Sequence, residues 1–180
     1  MAPATYRLHH AMEPEEILLQ MVEAFAAQVR PSLEDGVLPP YDTLILASLV
    51  QKESDLPEEY GRIAGVYFHR LNLGMRLQCD PTCLYARWDG GDLRFSAPLL
   101  EDTRRPSRYN TYLVAGLPPT PIAIPGPEAI AAARQPEEGK DLYFVATGTG
   151  GHAFAPTLSG HNRNVSAYRQ EIKRQKRARG

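Results

Sequence analysis

Residues 42–54 read DTLILASLVQKES, and this stretch decides how the chain folds. Asp42 is a favourable N-cap residue, and the residues that follow it are apolar nearly all round a helix until Gln51. A helix without a polar face has to be buried, so we expect it at the centre of the core. Its last turn is polar. Glu53 should therefore emerge at the edge of that core.

The flanking segments predict further helices and one hairpin. Helical spacing of apolar residues predicts helices over 13–29 and 58–72, and Pro127 and the residues from about Ser159 begin two more. LYFVAT at 142–147 has the composition of a strand, and GTGG is a turn into HAFA at 152–155. A turn at 79–82 and irregular structure from 90 to about 108 complete the prediction. Helices and strands in segregated runs predict an α+β fold, a helical domain with a small β-hairpin, as one domain over 1–180.

Composition narrows the classes of partner. The net charge is −1, so no overall basic field indicates nucleic acid. The basic C-terminal run from Lys173 to Arg179 is typical of a solvated helix end, with an anionic partner as the alternative. No run of about 18 apolar residues indicates a membrane span, and no signal peptide is visible. Cys79 and Cys83 are too few for a disulfide scaffold, so a local disulfide and two buried thiols both remain open.

Glu53 is the strongest candidate for chemistry. A carboxyl at the end of an apolar helix can be partly desolvated beside a cleft. Desolvation disfavours the charged form and raises the pKa, as a general acid near neutral pH requires. The alternative is an ordinary exposed glutamate in the last turn of a helix.

Two polar segments are candidates for binding a saccharide. In an extended segment Gln78 and Asp80 face the same side, and they offer an amide and a carboxylate to sugar hydroxyls or N-acetyl groups. The alternative is turn chemistry, with Asp80 bonding the backbone before a proline. The second segment is Tyr109-Asn110-Thr111-Tyr112, where aromatic rings can stack on sugars and the polar side chains can form hydrogen bonds. It can equally be a structural turn with two packed tyrosines.

The sequence indicates neither a metal nor a cofactor. His152 and His161 are nine residues apart and match no common spacing of metal ligands. No Lys-Ser or Lys-Thr follows GTGG, which is therefore better interpreted as a hairpin tip than as a phosphate loop.

In their order along the chain these motifs closely resemble the YceG-like family, the endolytic murein transglycosylases. The matching stretches are LASLVQKES, AGVYFHRLNLGMRLQCDPTCLYA, YNTYLVAGLPPTPIAIPGPEAI, LYFVATGTGGHAF and HNRNVSAYR. The resemblance implies that Glu53 is the catalytic residue, because it occupies the second acidic position of the family's Val-Glu-Lys-Glu-Thr/Ser motif. The first acidic position is Gln51 here, and Cys79 replaces a threonine. Gln78, Asp80 and the segment 109–112 match motifs that line the family's cleft.

The resemblance also implies a function. A protein of this family would cut the bond between N-acetylmuramic acid and N-acetylglucosamine within peptidoglycan strands, leave a 1,6-anhydro end and contribute to terminating strand elongation. A hydrolase that uses Glu53 with Asp55 or Asp80, and a non-catalytic peptidoglycan binder, are the alternatives.

Partners and location follow from the same resemblance. The expected partners are glycan strands and cell-wall synthases such as penicillin-binding proteins. We expect a soluble fragment on the extracytoplasmic side of a bacterial cytoplasmic membrane. Its parent would be held there by an N-terminal anchor that, like the family's LysM-like subdomain, precedes this region.

Overall fold

The structure is a computed structural model that describes residues 6–87 and 99–179. Within those ranges the fold is α+β, as predicted, with helices and one two-stranded antiparallel sheet. The elements in chain order are α1 (Pro14–Val29), α2 (Pro40–Glu53), α3 (Tyr60–Asn72), α4 (Asp80–Arg87), α5 (Pro127–Arg134), β1 (Tyr143–Ala146), β2 (His152–Ala155) and α6 (Leu158–Arg179), with short 3-10 turns at Arg30–Leu33, Pro57–Glu59 and Asp102–Arg104.

Helix α2 is the centre of the core, as its apolar sequence predicts. Leu46, Ala47, Leu49 and Val50 are fully buried, and α2 packs against α3 and α5. The predicted N-cap at Asp42 is wrong, because the helix begins at Pro40 and Asp42 lies in its first turn. Proline has its φ preset for the first helical position, so the pair of prolines before the apolar run starts the helix earlier.

Helix α3 runs beside α2 and ends where the sequence predicts. Its start is later than predicted, since a 3-10 turn occupies Pro57–Glu59. At its end Gly74 has φ +66, and the Met75 amide donates to the Arg70 carbonyl at 2.8 Å. This is the bond pattern of a glycine-terminated helix. The chain consequently turns back across α3 towards the end of α2.

The hairpin forms in the predicted place. Strands β1 and β2 pair antiparallel with Tyr143 opposite Ala155 and Ala146 opposite His152. Helix α6 packs across both strands, and β1 also contacts α3. The hairpin therefore forms a wall opposite the C-terminal end of α2.

The predicted turn at 79–82 is wrong, because these residues begin helix α4 at Asp80. The Thr82 amide and hydroxyl both donate to the Cys79 carbonyl, at 3.1 and 2.6 Å, and Pro81 is well suited to a first helical turn. Of the segment predicted to be irregular, residues 88–98 lie outside the described residues. The remainder contains the 3-10 turn Asp102–Arg104. Within the described ranges, no helix is long and apolar enough to cross a membrane.

Candidate active site

A cleft of about 810 Å³ opens at the C-terminal end of α2. Its floor is the last turn of α2 and one face of α3, and its two walls are the start of α4 and the hairpin with α6. Among the residues that line it are Glu53, Arg70, Gln78, Asp80 and Tyr112. The turn after α3 and the hairpin after α5 thus bring distant parts of the chain to one site.

Glu53 lies at the floor of this cleft, half-buried. Its Oε2 accepts a hydrogen bond from the Cys79 thiol at 3.3 Å. Burial raises the pKa of Glu53 to about 7, and the charge of Asp80 adds to the effect, while Cys79, Tyr67 and Arg70 oppose it. A carboxyl with a pKa near 7 can both donate and accept a proton under physiological conditions.

Arg70 connects the two walls of the cleft. Its Nε donates to the Leu142 carbonyl at 2.6 Å, and its Nη1 donates to the Leu77 carbonyl at 2.8 Å. The guanidinium also lies over the ring of Tyr143, with 5.1 Å to the ring centroid. Since Arg70 is buried, these bonds fix the hairpin edge relative to the segment that precedes α4.

Gln78 and Asp80 both face the cleft, although not through the extended geometry that the sequence suggested. Gln78 has φ +52 and is exposed, a left-handed conformation that is uncommon outside glycine. The backbone amide of Gln78 donates to the Thr111 carbonyl at 3.2 Å. Asp80 begins α4 and accepts a short hydrogen bond from the Tyr112 hydroxyl. The structure therefore brings Gln78, Asp80 and Tyr112 together with Glu53.

Tyr109 and Thr111 do not line the cleft. The Tyr109 hydroxyl is hydrogen-bonded to Thr120 Oγ1 at 2.9 Å. Thr111 is fully buried, and its hydroxyl accepts the Cys79 amide at 3.0 Å and bonds the Thr82 hydroxyl at 2.8 Å. Thr111 therefore supports the segment that carries Cys79, while the Tyr109 ring packs against Tyr85 of α4 at 4.8 Å between centroids.

Asn110 is also fully buried, away from the cleft. Its amide nitrogen donates to the carbonyls of Asp102, Thr103 and Arg105 at 3.1, 3.2 and 2.8 Å. Its carbonyl oxygen accepts the backbone amide of Tyr112 at 3.0 Å. Asn110 therefore holds the loop from which Tyr112 reaches the cleft.

Gln51 points away from Glu53. Its Nε2 donates to the Tyr60 hydroxyl at 2.9 Å, and its Oε1 accepts the Gly126 amide at 2.8 Å. Gln51 thereby ties α2 to the start of α5. Since a glutamate could accept from both partners, the amide and the acid are interchangeable here. The replacement of the family's first acidic residue by Gln51 therefore does not alter the hydrogen bonds of the Glu53 carboxyl.

Glu59 is a residue of the site region that sequence reasoning missed. Its carboxylate accepts the His152 amide at 2.7 Å, lies 2.7 Å from His152 Nδ1, and accepts the Ser54 hydroxyl at 3.2 Å. Burial acts to raise the pKa of Glu59, but the bonds with His152 outweigh it, so the pKa is lowered. The contact also needs Gly151, where a Cβ would lie 2.6 Å from Glu59 Oε1. No sequence signal links residues so far apart.

The histidines and cysteines have other partners in the structure. His161 stacks on Tyr143 with 5.3 Å between ring centroids, while His152 is held by Glu59. Cys79 and Cys83 are free thiols and both are buried. Of the two alternatives from the sequence, the structure therefore has the buried thiols and not the disulfide.

The chain is similar to one protein family, to several named proteins and to a solved structure. The sequence profile of the YceG-like family matches residues 1–167. Endolytic murein transglycosylases from Streptococcus pneumoniae strain D39 and Bacillus subtilis strain 168 are 33% and 32% identical, each over 92% of this chain. The chain spans only 31% and 46% of their respective lengths. A crystal structure of a YceG-like protein from Listeria monocytogenes superposes with a TM-score of 0.78 and 36% identity, over 90% of this chain and 53% of that one.

Proposed function

The chain belongs to the YceG-like family, and we propose that it is the catalytic domain of an endolytic lytic transglycosylase that acts on peptidoglycan. The observation that carries the proposal is Glu53, a carboxyl with a pKa raised to about 7 at the floor of an open cleft. The names of the streptococcal and Bacillus relatives support this reaction class. In the proposal one domain extends over residues 1–180.

Glu53 would act first as an acid and then as a base. Protonated Glu53 donates its proton to the glycosidic oxygen between N-acetylmuramic acid and N-acetylglucosamine, and positive charge builds at C1 of the muramyl sugar. The resulting carboxylate then takes the proton of the muramyl C6 hydroxyl, whose oxygen bonds to C1. The products are a 1,6-anhydromuramyl end and a free N-acetylglucosamine end. A single carboxyl suffices because this reaction activates no water molecule, whereas most glycosidases use two carboxyl groups.

Gln78, Asp80 and Tyr112 would position the strand. The exposed side-chain amide of Gln78 can donate to an N-acetyl carbonyl. The hydrogen-bonded pair of Asp80 and Tyr112 can bond sugar hydroxyls. Correct placement of the C6 hydroxyl is where orientation contributes most to the rate. Tyr109, Asn110 and Thr111 would support these residues from behind the cleft.

A hydrolase is the second candidate, because Asp80 lies close enough to Glu53 for its charge to raise the pKa of that carboxyl. A second carboxylate beside the acid could activate a water molecule. The two functions differ by one water in the product mass, so the product decides between them.

The test is digestion of purified peptidoglycan, with the released muropeptides separated by liquid chromatography and weighed by mass spectrometry. The wild type should release anhydromuramyl ends, Glu53→Gln should release none, and the matched control Glu58→Gln, which alters an exposed carboxyl of the adjacent 3-10 turn, should match the wild type. Hydrated reducing ends would instead establish a hydrolase.

Absence of any product from wild type, while peptidoglycan is still bound, would contradict catalysis by this segment and favour a binding module. The same digestion with a chain as long as the relatives separates a non-catalytic protein from a segment that needs the rest of its protein.

Cell-wall synthases are the proposed protein partners, and the extracytoplasmic face of the cytoplasmic membrane is the proposed location. A domain that cuts nascent strands would act where synthases extrude them, and would thereby terminate their elongation. Lengthening of glycan strands in cells that carry Glu53→Gln, and co-purification of the whole protein with synthases, test these proposals.

A further inference from the structure

Two neutral side chains flank the Glu53 carboxyl without belonging to the strand-binding set. The Cys79 thiol donates to Glu53 Oε2 at 3.3 Å. Tyr67 of α3 lines the same cleft, and its hydroxyl is buried with no hydrogen-bond partner among the described residues. A buried hydroxyl without a partner can donate to a carboxyl of the same cleft when that carboxyl is charged, and Tyr67 accordingly lowers the pKa of both Glu53 and Cys79.

We propose that Tyr67 and Cys79 are positioning residues that hold the Glu53 carboxyl in one orientation in both its protonated and its charged form. The inference rests on the proposed function, because only an acid that becomes a base needs support in both forms. A phenol and a thiol can each donate to a carboxylate and can each accept from a carboxylic acid. A cation in their place would instead favour the charged form permanently.

The surroundings keep these two groups in place. The Cys79 backbone is fixed on both sides, since its amide donates to the Thr111 hydroxyl and its carbonyl accepts the Thr82 hydroxyl. The Tyr67 ring packs edge-on against Phe144 at 5.7 Å between centroids.

The charges around Glu53 act on its pKa in opposite directions, so the neutral pair adds to a balance that burial dominates. Asp80 raises the pKa of Glu53 and Arg70 lowers it, while burial is the largest influence. The titratable and charged groups that line the cleft on the elements around Glu53 are Lys52 and Asp55 near the end of α2, Tyr67 and Arg70 on α3, Cys79 and Asp80 at the start of α4, Tyr112, and Tyr143, His152, His161 and Tyr168 on the hairpin and α6.

The experiment titrates the Glu53 carboxyl directly in the free protein by 13C NMR, with glutamate labelled at its side-chain carboxyl carbon and the signal assigned by its loss in Glu53→Gln. Tyr67→Phe and Cys79→Ala each remove a donor from the charged form, so each should raise the Glu53 pKa by about half a pH unit. Cys79→Ser keeps a donor and should restore the value. Cys83→Ala is the matched control, because the Cys83 thiol donates to the Asp80 carbonyl and not to Glu53.

The direction of the shift separates positioning from mere packing. If the two side chains only filled space, their removal would admit water, reduce the desolvation of Glu53 and lower its pKa. A lowered or unchanged pKa in Tyr67→Phe and Cys79→Ala would therefore overturn the proposal. A raised pKa, with rescue by Cys79→Ser, would support it. Because the titration needs no substrate, its result is independent of whether anhydromuramyl products appear.

The activity profile gives a second readout if those products do appear. The alkaline limb of activity against pH should move upwards by the same amount as the NMR pKa in Tyr67→Phe and Cys79→Ala, since the protonated acid survives to higher pH. A lower kcat without movement of that limb would contradict the proposal.

Discussion

Replacement of Asn110 by alanine should destabilise the protein far more than it weakens substrate binding. The side chain is fully buried, and it supplies a donor to three backbone carbonyls and an acceptor to the Tyr112 amide. Asn110 thus acts on the loop and not on the ligand.

The expected loss follows from those bonds. The amide group has two hydrogens that the three carbonyls share, so Asn110 makes about three full hydrogen bonds including the one it accepts. At about 1 kcal/mol for each net bond, they correspond to about 3 kcal/mol of unfolding free energy. For a domain of this size that is a fall in Tm of roughly 10 °C. Asn110→Asp should be at least as harmful, because it places a carboxylate against three carbonyl oxygens.

Urea and thermal unfolding followed by circular dichroism measure the effect. Asn164→Ala is the matched control, since Asn164 makes one long bond, 3.4 Å to the Phe154 carbonyl, and should cost less than about 1 kcal/mol. If Asn110→Ala kept the Tm of the wild type but raised KM for glycan strands, the buried support role would be refuted and the saccharide-binding role suggested by the sequence would return.

Three further predictions concern the site and the core. Glu53→Gln should stabilise the protein by about 3 kcal/mol at pH 8 and by little at pH 4. The reason is that the folded chain keeps the Glu53 proton up to about pH 7 and the unfolded chain only up to 4.5, so the stability of the wild type falls as pH rises between these values. Equal stabilisation at both pH values in urea unfolding would contradict the raised pKa. Gln51→Glu should change kcat by less than about twofold in the muropeptide assay, because its partners are Tyr60 and Gly126; a tenfold change would mean that this position acts on Glu53. Gly65→Ala should lower Tm by roughly 5 °C or more, because the new Cβ would lie 2.4 Å from the Glu137 carbonyl oxygen; an unchanged melting curve would show that α3 can move away from that carbonyl.

The fold was largely predictable from local pattern. The apolar run of α2 required burial. Glycines mark the turn of the hairpin 143–155, and a proline marks the start of helix α5. The errors fall at boundaries where local signals compete. At Asp80 the turn signal of an Asp-Pro pair is also the signal of a helix start, and only the hydrogen bonds of Thr82 to Cys79 decide for the helix.

The site was predictable only in part, because side-chain direction is a tertiary property. The apolar helix placed Glu53 at the core boundary, but its pattern left an exposed glutamate equally open, and the resemblance to the family motif favoured a catalytic acid. In the tetrad 109–112, by contrast, all four residues are chemically suited to a sugar, and only packing shows that Tyr112 faces the cleft while Asn110 faces inwards.

The sequence by itself therefore determined the class of fold, the central helix and the position of the acidic residue, because burial follows from the spacing of apolar residues along one helix. The tertiary structure alone decided which polar groups meet. Asp80 raises the pKa of Glu53, Cys79 and Tyr67 oppose that effect, and Glu59 holds His152 from 93 positions away. Desolvation and hydrogen bonding depend on distances between atoms, and those distances exist only once the chain has folded.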